Sequence, residues 1–100
     1  MIVAVSVFWN ENLEPNIGGY KIYAALDAAG PYNLPDAVTG QGPKDVGNVL
    51  QSIFNVNVVG NMTVFFRFTC YNTLAEQSGF SATVSATFSD QILLRHRKAA

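Results

Sequence analysis

The chain is short of charge. Asp, Glu, Lys and Arg make up only 13% of its 100 residues, against about 25% in an ordinary soluble domain. A chain so poor in charge has to hide much of its 49% hydrophobic content, in its own core or against a partner. It is also short of cysteine. With Cys70 alone, no disulfide can form within the chain, so the fold rests on packing, and a reducing place of synthesis fits. Histidine is nearly missing as well: His96 sits among arginines close to the C-terminus, a poor place for the buried, oriented imidazole of a catalytic triad. No pair of His or Cys residues has the spacing of zinc ligands. Asp27, Asp36, Asp45 and Asp90 are scattered and do not match a calcium loop. Gly40-Gln41-Gly42 lacks the spacing and the following helix of a phosphate-cradling loop. The expectation is therefore a protein without catalytic residues, metal or cofactor, and not an enzyme.

Long apolar runs are lacking too. None approaches the ~18 residues that span a bilayer, so no membrane span is expected. The start, Met1 to Phe8, has no positively charged leader and breaks at Trp9-Asn10-Glu11, unlike a secretory signal. Asn61-Met62-Thr63 fits a glycosylation acceptor, but such a triplet needs a secretory route to matter. The net charge of −1 gives no long-range attraction to nucleic acid, which is not expected as a partner. The distribution is uneven, however. Residues 1–90 hold three basic against seven acidic residues, a net −4, whereas Arg95, Arg97 and Lys98 fall in the last six positions. The reading is one domain over 1–90 and a basic C-terminal tail over 91–100. Either the tail is a solvated end, or it anchors on an acidic neighbour such as an identical subunit.

What the chain does have is alternation with a period of two. Val3, Val5, Val7 and Trp9 share one face, with Ala4, Ser6 and Phe8 on the other. After a turn over Asn10–Asn16, Tyr20, Ile22 and Ala24 oppose Lys21 and Tyr23. Leu26 to Asn48 holds three of the four prolines and reads as loops around one or two short strands. Phe54, Val56 and Val58 share a face opposite Asn55 and Asn57, and Gly60-Asn61 marks a turn. The longest strand is expected from Thr63 to Asn72, with Val64, Phe66, Phe68 and Cys70 inward and Phe65, Arg67, Thr69 and Tyr71 outward. Cys70 so placed reads as a small core residue, not a nucleophile. After a loop over Thr73–Gly79, the last strand is expected over Phe80–Phe88. No window reads as a helix. Short alternating strands without helices between them predict an all-β fold, a sandwich of two antiparallel sheets or a barrel.

These residues resemble a fibronectin type III domain, from about Val5 to Phe88. Val5-Ser6-Val7-Phe8-Trp9 is similar to the family's second strand with its core tryptophan. Gly19-Tyr20-Lys21-Ile22-Tyr23 is similar to the third, and Phe66 to Asn72 to the sixth, with Cys70 in the usual alanine place and Asn72 in the usual asparagine place. Val58 stands where the family keeps a buried leucine, and Ser81 to Phe88 suits the seventh strand. The resemblance implies an immunoglobulin-like sandwich. Two departures stand out. The tyrosine expected at position 64 is Val64, which removes a buried hydroxyl bond worth about 1 kcal/mol. The family's first strand is also missing, which leaves the strand at Val3–Trp9 as a bare edge. Either Gln91-Ile92-Leu93-Leu94-Arg95, from this molecule or a neighbour, supplies that strand, or loops cover the edge.

Phe8, Tyr23, Phe65 and Tyr71 fall on outward faces. Together with Ile92, Leu93, Leu94, Arg95, Arg97 and Lys98 they are the candidate interface residues. Outward aromatics in such number point to a covered patch. The resemblance implies a structural or interaction protein. Similar domains serve as add-on surface modules of bacteriophage virions, in capsid decoration and tail parts, and a domain starting at its own methionine without signal or disulfide suits that setting. The expected location is the virion, and the expected partner is a larger protein assembly or identical subunits. The competing reading is a carbohydrate- or host-surface-binding module of a secreted or cell-surface bacterial protein.

Overall fold

A computed structural model describes residues 1–11 and 16–88 of the chain. The alternating segments become strands: β1 (Ile2–Phe8), β2 (Ile17–Ala25), β3 (Lys44–Gly47), β4 (Gln51–Asn57), β5 (Met62–Asn72) and β6 (Val84–Phe88). The described residues contain no helix, hence none long and apolar enough to cross a membrane. β1 pairs with β4 in a two-stranded sheet, and the order β3-β2-β5-β6 makes a four-stranded one. Every pairing is antiparallel.

Register joins the apolar faces that the period-two pattern marks. Val3 lies opposite Val56 and Val5 opposite Phe54 in the smaller sheet. Ile22 lies opposite Phe68, Ala24 opposite Phe66, and Phe66 in turn opposite Val84 in the larger. Val7, Phe54 and Val56 meet Ile22, Ala24, Val64, Phe66 and Phe68 in one core, so the arrangement is sandwich-like. The Phe54 and Phe66 rings, each fully buried, meet edge to face at 5.5 Å. Val64 is fully buried, so an apolar residue fits this place without a hydroxyl partner. Cys70, buried and outside any disulfide, lies on the same face.

The last strand begins later than Phe80. Between Ser78 and Ser81 the chain still follows β5, but serine side chains replace main-chain carbonyls as the acceptors in the ladder. The Cys70 amide donates to Ser78 Oγ at 3.0 Å and the Phe68 amide to Ser81 Oγ at 3.0 Å. In return the Ser78 and Ser81 amides donate to the carbonyls of Cys70 and Phe68. The turn after β5 is built by Asn72. Its Oδ1 accepts from the amides of Leu74 and Glu76, and its Nδ2 donates to Glu76 Oε1, a local arrangement that asparagine side chains favour.

Gly19 in β2 is a close-approach glycine. A Cβ there would collide with the Tyr71 ring and stand 2.9 Å from the Gly47 carbonyl carbon. Gly19→Ala is expected to destabilise the chain by about 1–3 kcal/mol, seen as a lowered melting temperature. Removing the Tyr71 ring in the same chain should restore only part of the loss, since the Gly47 backbone remains in the way.

Candidate docking surfaces

The outward aromatics do not form one patch. Tyr23, Phe65 and Tyr71 stand on the outer face of the larger sheet, and Phe8 on the outer face of the smaller one. The first three are half-buried, because the chain folds over them. Gln77 Nε2 donates to the Tyr23 hydroxyl, and the Phe80 ring meets Tyr23 edge to face at 4.9 Å. Arg67 lies between rings: its guanidinium carbon is 4.5 Å from the Tyr32 centroid and 5.5 Å from that of Phe80. Its Nε donates to Thr83 Oγ1 at 2.9 Å. Tyr32 is itself held by a 2.7 Å bond from its hydroxyl to the Ala28 carbonyl. The Tyr71 hydroxyl donates to Asp45 Oδ1 at 2.8 Å. That bond, then burial and the Asp45 charge, raise the Tyr71 pKa above its ordinary value of 10.0, so the phenol stays protonated and a donor. Phe65 sits in register between Ala25 and Ser85. This face is largely satisfied by its own chain.

Phe8 is different: it is 65% exposed. Its register partner is Gln51, and Ser6 faces Ile53, so Phe8 and Ile53 are diagonal neighbours within reach of one another. Ile53 is 47% exposed. Leu50 and Val49, on the turn into β4, are exposed as well. Ser6, Phe8, Lys44, Gln51, Ile53 and Asn55 border a shallow depression of about 490 Å³. Neutral polar groups, and Lys44 with its ammonium paired to Asp36, thus frame an apolar centre.

A second opening lies between the sheets, on the side of β1 and β6. It measures about 510 Å³ and is lined by Phe8, Trp9, Tyr20, Phe68, Phe80 and Val84, among others. The half-buried Trp9 ring closes its inner end, 5.6 Å from Tyr20 and 5.2 Å from Phe68. Trp9 Nε1 and Thr69 Oγ1 are buried without hydrogen-bond partners.

The sequence pattern treats Asp36 as one of several scattered acids. It is in fact 1% exposed and the most connected side chain of the described residues. Oδ1 accepts from the amides of Val38 and Thr39, and Oδ2 from the Asn55 amide and from Lys44 Nζ at 3.1 Å. Asn55 Nδ2 donates to both oxygens. Lys44 Nζ also donates to the Ile53 carbonyl at 2.6 Å, and the Ala37 amide to that of Asn55. The loop thereby closes the edge of β4 that faces away from β1. The hint of this in the sequence is an aspartate before Ala37-Val38-Thr39-Gly40, a turn former; its depth depends on partners 8 and 19 residues away.

Among the described residues no group of three His, Cys, Asp or Glu could hold a metal ion. The tail residues Ile92, Leu93, Leu94, Arg95, Arg97 and Lys98 lie outside the described residues, as does His96. No protein-family model matches the chain, and no curated protein or solved structure is significantly similar to it.

Proposed function

We propose that the chain is a non-enzymatic structural protein: a fibronectin type III-like sandwich over residues 1–90, with a basic tail over 91–100, that docks as a surface part of a bacteriophage particle. The fold reading is supported by the strand order. β1 and β4 opposite β3-β2-β5-β6 is the arrangement expected of the family's second to seventh strands without its first. The observation that carries the docking reading is the exposed Phe8–Ile53 face of the smaller sheet. An aromatic anchor with an aliphatic neighbour and a polar frame, whose Lys44 is already paired with Asp36, suits a protein surface of similar character. Its lysine, Lys44, is neutralised by Asp36 at 3.1 Å, so the face lacks the net positive charge that favours a nucleic acid.

The test is sedimentation. In gradient-purified particles from the source lysate, the chain should co-sediment in many copies. Phe8→Ser with Ile53→Ser should lower that occupancy at least about tenfold while the free protein keeps its melting temperature. A chain found only in the soluble fraction, or one held on a polysaccharide matrix and released by free glycan, would remove the proposal in favour of a carbohydrate-binding module.

A further inference from the structure

Two strands face four, and the missing cover falls over β6. β1 and β4 set Val7, Phe54 and Val56 against side chains of β2 and β5. Val84, Ala86 and Phe88 of β6 lie in register with the inward Phe66, Val64 and Met62, so they point to the same side of the larger sheet. Yet Val84 is 46% exposed, and Ala86 and Phe88 are only half-buried. Phe8 and Trp9 border one opening with Val84, so β1 is the strand of the smaller sheet beside this bare strip.

β1 meets the strip with a free edge. Met1 and Val58 exchange both main-chain bonds, and the Trp9 amide donates to the Leu50 carbonyl. In an antiparallel ladder the residues of that parity, Val3, Val5 and Val7, turn their main-chain groups to β4. Ile2, Ala4, Ser6 and Phe8 therefore turn N–H and C=O away, and among the described residues β1 pairs with β4 alone. Ile2–Phe8 holds no charge, no proline and no bulge, the devices that usually keep a free edge from pairing. At its Phe8 end the edge runs into the opening of about 510 Å³, none of whose lining side chains is charged.

We infer that the free edge of β1 and this opening form a strand-binding site for an extended segment of another protein. A row of unsatisfied main-chain groups is matched only by extended main chain. The segment adds to the smaller sheet and pairs with Ile2, Ala4, Ser6 and Phe8. Its inward side chains lie over Val84, Ala86 and Phe88, and a bulky one enters the opening beside Trp9. Burial there excludes charge from the middle of the segment, so it is uncharged over the length of β1 and apolar at every second residue. Its ends reach water beside a body that carries a net −4 over residues 1–90, with Glu11 exposed just beyond β1. Flanking Lys or Arg gives the opposite charge. The site uses the edge and the inner side of β1, not the outer Phe8–Ile53 face, so it stands apart from the docking reading above.

The test uses the full chain and a synthetic peptide of alternating valine and threonine, with one valine replaced by phenylalanine and a lysine at each end. Amide exchange reports the edge, and the emission of Trp9, the one tryptophan, reports the opening. With the peptide at about 1 mM, exchange at Ala4, Ser6 and Phe8 should slow at least about tenfold, and the Trp9 emission should shift. The same peptide N-methylated at its threonines, which lacks the donors that face β1, should do neither. Ser6→Pro removes an N–H that β4 does not use, and Val84→Glu sets a charge in the opening. Each should weaken the peptide at least about tenfold, with the β2–β5 amides as the control for folding, and either variant decides the point if the other fails to fold. Ile53→Ser should leave peptide binding unchanged, so failure here and failure of the docking reading are separable. No slowing with the peptide would overturn the inference. So would protection of the three amides in the free monomer, which would give the edge an occupant within the chain, or protection that rises with protein concentration alone, which would give it a second copy.

Discussion

Replacing Asp36 with alanine is expected to remove about 3–5 kcal/mol of stability, a large share of the roughly 5–15 kcal/mol of a domain this size. The loss has two parts. The Lys44 ammonium, 15% exposed, loses the carboxylate 3.1 Å away. The amides of Val38, Thr39 and Asn55 lose their acceptors in a place where water reaches poorly, at about 1–3 kcal/mol for each donor left bare. Asp36→Asn keeps the shape but turns a donor toward Lys44 Nζ or Asn55 Nδ2, so it should recover only part of the loss. Urea unfolding at neutral pH measures both.

The same network sets an acid limit. Burial alone would raise the Asp36 pKa. The hydrogen bonds from the Asn55, Thr39 and Val38 amides and the Asn55 side chain outweigh burial, and the native pKa lies well below the ordinary 3.8. A carboxyl that is more acidic folded than unfolded stabilises the fold fully above the unfolded value. It loses that contribution as pH falls through 3.8 toward the native value, at up to about 1.4 kcal/mol per pH unit. The wild-type urea midpoint should therefore be insensitive to this group from pH 5 to 7 and fall below pH 4. In Asp36→Asn the acid limb should be shallower.

Phe66→Ala is expected to cost about 3–5 kcal/mol. Phe66 is 2% exposed, lies between Ala24 and Val84 in register, and packs against Phe54 from the opposite sheet. Alanine leaves a hole between two sheets whose backbones are held apart by their own ladders, so little collapse can fill it. The edge-to-face contact with Phe54 adds about 0.5–1.5 kcal/mol. The neighbouring ring offers the comparison. Phe65, one residue earlier, points outward, and Phe65→Ala should cost well under half as much. Thermal melts of the two variants side by side decide the point.

That contrast was legible in the sequence. In β1, β2, β4 and β5 the alternation is carried by β-branched and aromatic residues, which fit a pleated, half-buried surface, and it assigns Val7, Ile22, Phe54 and Phe66 to the interior. It fails where something other than apolar periodicity makes the structure. β3, Lys44-Asp45-Val46-Gly47, has no apolar alternation and is hidden in a loop-like stretch. The start of β6 slips from Phe80 to Val84 because serine hydroxyls take the place of main-chain carbonyls as acceptors for β5 before the regular ladder begins. The outward aromatics show the same boundary. Period two says that Tyr23 and Phe8 both point out. It cannot say that Phe80 and Gln77 come to lie against one while the other stays exposed, since those contacts depend on how a loop returns across the sheet. Asp36 is the extreme case: its partners lie far along the chain, and only folding brings them together.

The loop that carries Asp36 also governs what the smaller sheet can become. A sheet open on both margins can be lengthened from either side, and identical molecules can then stack without end. Here one margin is sealed by a carboxylate, an amide and an ammonium, so identical molecules can join edge to edge only through β1, and two copies joined in that way leave no open margin to extend. Loss of Asp36 would therefore do more than loosen the fold. It would unseal the second margin and turn a sheet of fixed width into a unit of a fibre.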